Sequence, residues 1–161
     1  MLGFAIHAVG DSQQANAEFA KGLETEGAHW AIYMLSSLNH WGEGKGNEAR
    51  AAAESAYRLA PWQPQVVGGL AGLLSLASET ERAGHVLQQL KDLPAHRVPI
   101  GMAMYHLVRS EPEDAIDCIE KAIEQRDMWA ARIPRFQLAK ILRTSPRWRT
   151  IMGTMNLPEA S

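Results

Sequence analysis

The side chains able to do chemistry in this chain of 161 residues are scattered rather than grouped. Six histidines, at positions 7, 29, 40, 85, 96 and 106, are the natural metal ligands and proton carriers. None stands in a His-x-x-x-His or Cys/His spacing that would aim two ligands at one metal. Cys118 is the only cysteine, which excludes an intrachain disulfide and a thiolate cluster. Beside Ile119 on a helical pattern, it reads as a buried, unreactive thiol rather than a nucleophile. The glycines of the Gly42–Asn47 turn invite a phosphate-cradle reading, but the Gly-x-x-x-x-Gly-Lys-Ser/Thr order is absent and no strand precedes them. A Gly-x-Ser-x-Gly elbow and a dinucleotide fingerprint are also missing, so the sequence predicts no enzyme activity, no cofactor and no metal site.

Charge is the remaining chemistry. A basic run near the end comprises Arg126, Arg132, Arg135, Lys140, Arg143, Arg147 and Arg149, and an acidic run before it holds Glu111, Glu113, Asp114, Asp117, Glu120 and Glu124. Opposite charges on adjoining helices are expected to pair or to face solvent. A nucleic-acid-binding helical module using the basic end is the sharper alternative. Against it stand a net charge of −2 and the lack of interleaved exposed aromatics. The start lacks a basic region and a small-residue cleavage site, and no apolar run approaches the ~20 residues of a spanning helix. The expected location is therefore the cytoplasm, without a membrane.

The elements that must carry these residues read as helices. The expected helices are 1–9, 11–26, 28–41, 47–60, 65–77, one reaching Lys91, 96–109, 112–126, and two short ones after Asp127. Capping boxes are expected at Ser78-x-x-Glu81 and Ser110-x-x-Glu113, and Ser145 is expected to cap the last helix with Pro146 at its first position. Gly68, Gly69 and Gly72 each lower helix propensity, which implies either close helix packing or a groove floor approached by a ligand backbone. Small residues open a helix after a turn at Ala15, Ala49, Ala83 and Ala115, at separations of 34, 34 and 32. The strongest copy is Glu48–Pro61, with Ala49, Ala53, Ala56 and Pro61.

On that spacing the sequence resembles the tetratricopeptide repeat family. Leu2-Gly3, Gly10, Ala15 and Phe19 match its pattern in the first copy, and Tyr33, Ala49, Ala53, Ala56 and Pro61 in the second. The third copy supplies Leu70-Ala71, Leu74, Ala83, Leu87 and a displaced Pro94, and the fourth Ala103, Ala115, Ile119 and Ala122. The resemblance implies an all-α right-handed superhelix of four helical hairpins, the first truncated, plus two short C-terminal capping helices. As one domain, 1–161, it divides into repeats at roughly 1–27, 28–62, 63–95 and 96–127 with a cap at 128–161.

The tail, with Pro134-Arg135-Phe136, Ile141-Leu142-Arg143, Ser145-Pro146-Arg147-Trp148 and Met155-Asn156-Leu157-Pro158, is similar to the closing segment of tetratricopeptide tails in bacterial multidomain regulators. A regulatory tail of a signalling or transcription protein is thus an alternative function.

In this family the first helix of each copy lines a groove. Carried over by position, its lining is Phe4 and His7; Ala31, Met34, Leu38 and Trp41; Gln65, Gly68, Gly72 and Ser75; Arg97, Ile100, Met104 and Leu107. So apolar a groove suits an amphipathic helix or an apolar extended peptide, unless the chain's own neighbouring residues fill it. The implied function is a protein–protein interaction scaffold. The truncated first helix implies either a longer natural protein or a homodimer contact through Phe19 and Leu23.

Overall fold

Apolar residues at helical spacing, punctuated by glycine, proline and serine, make this chain a succession of short helices. The computed structural model describes residues 29–156, and within them every regular element is helical. The α-helices are α1 (Trp30–Gly42), α2 (Gly46–Leu59), α3 (Pro64–Leu76), α4 (Thr80–Lys91), α5 (Val98–Val108), α6 (Pro112–Glu124) and α7 (Trp148–Thr154). A 3-10 turn at Ala95–Arg97 leads into α5, and two 3-10 segments, Ala130–Arg135 and Gln137–Thr144, connect α6 to α7. None of these helices is long and apolar enough to cross a membrane.

Four of the helices, α1, α3, α5 and α6, end in the same turn, the last of them at Arg126. Gly44, Ser78 and Ser110 have φ of +75°, +63° and +60°, and the amide after each donates to a carbonyl five residues back. Those bonds are Lys45 to His40 at 2.9 Å, Glu79 to Leu74 at 3.0 Å and Glu111 to His106 at 2.9 Å. A left-handed residue closing the helix carbonyls in this way is a Schellman cap. Ser78 and Ser110 therefore finish α3 and α5 and do not open the helices after them, which corrects both expected capping boxes. Glu79 and Glu111 take the N-cap places, without a side-chain cap bond. Ser145 is displaced in the same sense: α7 starts only at Trp148, while the Ser145 hydroxyl accepts from the Arg147 amide at 3.2 Å.

α1 packs on α2, α3 on α4, and α5 on α6, while α3 also lies along α5. The small residues expected at helix contacts are buried there: Ala49 and Ala115 are fully covered and Ala83 is 6% exposed. α3 and α5 approach closely enough for backbone contact. A Cβ built on Gly68 would stand 1.8 Å from the Gly101 carbonyl oxygen, and one on Gly72 would stand 3.0 Å from the Val108 Cβ. Gly69, on the other side of α3, has nothing within 4 Å of a built Cβ.

Two of the three α3 glycines are thus explained by helix packing rather than by a groove floor. Gly68→Ala is expected to lower stability by about 3 kcal/mol, because one backbone must move off another. Gly69→Ala is expected to raise it by up to ~1 kcal/mol through helix propensity. Urea midpoints of the two variants, compared with the parent, check both signs.

Candidate functional site

The side chains assigned to the groove have to be located first. Met34 and Leu38 are 4% exposed, Ile100 2% and Met104 1%, and all four share a core cluster with Ile133, Phe136, Ala139, Leu142 and Ile151 from the C-terminal segment. The 3-10 segment Gln137–Thr144 packs on α1, α5 and α6 together. The chain itself therefore covers these residues, so they do not present an open peptide groove; this is the occupant that the apolar lining left open. Gly68 and Gly72 are buried between α3 and α5. Trp41 is half-buried against the second core cluster, among α2, α3 and α4. Phe4 and His7, and the proposed subunit contact Phe19 and Leu23, lie outside the described residues.

A cleft of about 280 Å³ lies open at the helix ends. One wall comes from the start of α3, with Gln63, Pro64 and Gln65; another from the entry to α5, with His96, Arg97 and Ile100; the third from the turn after α6, running from Gln125 to Trp129. Pro64 suits the first turn of α3 because its missing amide proton would have had no partner there. Arg126 takes the left-handed position that ends α6, with φ of +56°, and the Asp127 amide donates back to the Ala122 carbonyl at 2.9 Å. The Asp127 carboxylate then accepts from the Trp129 amide at 2.9 Å. Trp129 is held on both sides, its ring centroid 6.1 Å from that of Trp30 and 4.9 Å from the Arg132 guanidinium. Met128 is left 68% exposed at the rim.

Two features of the cleft are electrostatic. Arg97 donates to the neutral side-chain amide oxygen of Gln63 at 3.3 Å, and no carboxylate among the described residues forms an ion pair with Arg97 or Arg126. No acidic residue lies in the first turn of α3, so the partial positive charge of its N-terminus is not balanced locally. The third feature is Gln65, which is 2% exposed and has both amide atoms buried without a hydrogen-bond partner. It stands between the cleft and a small void of about 10 Å³ lined by Met34, Ser37, Leu38 and Trp41. Gln65, Arg97 and Ile100 were among the positions read as groove lining, whereas Arg126, Met128 and Trp129 were not. Arg126 enters the sequence reading only as a member of the basic run, and Met128 and Trp129 carry no signal beyond their place after a helix stop.

A second constellation joins His106, Glu111 and Asp114, whose ligand atoms lie within 4.8 Å of one another. Sequence spacing gave no hint of it, because the turn folds α6 back on α5. Glu111 is already engaged on both oxygens, by Arg109 at 2.9 and 3.0 Å and by the His106 Nδ1 at 2.7 Å. Arg109 also reaches Ser75 and lies 5.3 Å over the Tyr105 ring, so this cluster ties α3 to the α5–α6 turn. An arginine in that position competes with any cation for the carboxylate. The expected pairing of the acidic and basic runs occurs at Arg147, which meets Asp117 at 2.8 Å, Glu120 at 2.5 Å and Glu113 at 3.4 Å. Burial pushes the half-buried Cys118 thiol up from its ordinary value, so it stays protonated at neutral pH.

No family model, curated protein or solved structure matches the chain.

The hydrogen bond from Arg109, aided by His106 and opposed by burial, holds the Glu111 carboxyl below its ordinary value of 4.5. A depressed folded-state value means stability that is complete above 4.5 and lost as pH falls through the lower folded value. Urea midpoints of the parent should therefore decline between about pH 5 and 3, and Glu111→Gln should flatten that decline. An unchanged acid limb in the variant would remove Glu111 as its source.

Proposed function

We propose that the chain is a tetratricopeptide-like helical-repeat module whose function is to bind a protein partner. The architectural support is recurrence. Helices α1, α3 and α5 end at the same left-handed turn, at Gly44, Ser78 and Ser110, with separations of 34 and 32. Stacked hairpins of this kind use their exposed edges and faces for recognition.

The observation that carries the binding role is the exposure of Trp62 and Met128. Trp62 is 55% exposed and precedes Gln63, which lines the cleft; Met128, 68% exposed, lines it directly. Large aromatic and thioether side chains left in water beside a concave site are characteristic of protein-recognition surfaces. The face the repeat pattern would offer is covered by the C-terminal segment, so the partner is read as docking at the helix ends instead.

The test is selection of peptides on the purified full chain, followed by synthesis of the enriched sequences and fluorescence anisotropy. Saturable micromolar binding that Trp62→Ala weakens by about tenfold or more, with the circular dichroism spectrum unchanged, is the expected result. Failure of every enriched peptide to bind would overturn the reading.

A further inference from the structure

We propose that the cleft between α3, the entry to α5 and the turn after α6 recognises an acidic side chain within a protein segment. Arg97 and Arg126 take its carboxylate, and Gln65 pairs with the peptide amide beside it. This rests on the protein-binding reading and adds the chemistry that the partner must carry.

Charge selects the sign of the ligand. Arg97, Arg126 and the exposed His96 line the cleft with the N-terminus of α3, against one acidic member, Asp127, whose Oδ1 accepts from the Trp129 amide; the two arginines leave the lining net positive. Gln65 then selects its kind. Its amide offers one acceptor oxygen and two donor hydrogens, and none has a partner. A bare anion could satisfy the donors but would leave the oxygen unmatched; a peptide unit brings both a carbonyl and an N–H. Gln65 lines both the cleft and the small void, and reorienting its amide toward a ligand breaks no existing hydrogen bond. The exposed Met128 at the rim gives an apolar neighbour of the acidic residue something to cover.

Two of the three recognition residues are poor choices for stability alone. A buried glutamine without partners loses its hydration for nothing, and an arginine at φ of +56° stands where glycine is preferred. The positive φ recurs at Ser78 and Ser110, outside the cleft lining, so of these two departures it is the unpaired glutamine that is expected where binding, rather than folding, selects the residue.

The experiment uses the full chain, labelled with nitrogen-15, and the acetylated, amidated peptide Ala-Leu-Glu-Leu-Ala as probe. The Gln65 side-chain amide and the Trp129 indole N–H should shift saturably, with the Gln counterpart of the peptide binding about tenfold more weakly. Gln65→Leu and Arg126→Gly should each keep or raise the melting temperature yet weaken the Glu peptide at least about fivefold. No saturable shift, equal affinity for the Glu and Gln peptides, or variants that bind like the parent would overturn the proposal. N-acetylglutamate binding as tightly as the peptide would assign the cleft to a free small molecule and overturn the protein-segment reading. Peptides selected in the broader experiment that bind irrespective of Arg97, Arg126 and Gln65 would sink this inference and leave the protein-binding one standing.

Discussion

The approach of α3 to α5 at Gly68 and Gly101 is the constraint on which the described structure turns. Neither position has room for a methyl group, since a Cβ on Gly101 would lie 2.4 Å from Leu90 Cδ1 and 2.7 Å from the Pro64 carbonyl oxygen. Two backbones in direct contact fix the separation of the helices more tightly than interdigitated side chains would. The same contact brings the leading ends of α3 and α5 side by side. Gln63–Gln65 and His96–Ile100, two walls of the cleft, sit at those ends, so the geometry of the site follows from a packing contact one helical turn away.

Around that contact the chain is held by turns and by ion pairs that bridge them. Arg50 and Arg82 both reach Glu79, and Arg82 also reaches Glu54 at 3.2 Å, which links α2 to α4. Ser37 donates to the Ala49 carbonyl at 2.7 Å within the α1–α2 pair. The ion pairs add direction more than energy, because their charged groups remain in partial contact with water. Burial of Leu35, Leu70, Leu74, Ile116 and Ile119 supplies the driving force, at roughly 1.5–3 kcal/mol for each such side chain.

Much of this was legible in the sequence, for physical reasons that also mark where legibility stopped. Helix positions followed from apolar periodicity, and the contact alanines from their smallness at a repeated spacing. The serine boxes misled because Ser-x-x-Glu has the same composition whether serine caps the next helix or closes the last one. Only the dihedral angle separates these cases, and a serine at positive φ costs about 1 kcal/mol relative to glycine, too little for sequence to forbid. Gly101 escaped notice as a lone glycine in an apolar helix, although it is half of the backbone contact between α3 and α5. Of the groove residues, Met34, Leu38, Ile100 and Met104 do share one apolar cluster, but an apolar face says nothing about what covers it.

That last ambiguity bears most on function. A row such as Met34, Leu38, Ile100 and Met104 must be covered by something, and here Ile133, Phe136, Leu142 and Ile151 cover it without a partner. Once the C-terminal segment is spent on the core, the turn that launches it becomes surface, and this turn carries Arg126, Met128 and Trp129 into the cleft. Trp129 is fixed there by Trp30 and Arg132, so the turn is braced from both sides instead of hanging free. Covering the apolar face and building a polar cleft are thus two consequences of a single chain path. The polar cleft sits where the hydrophobic contacts end, and there two arginines form no ion pair among the described residues and a glutamine amide has no bond.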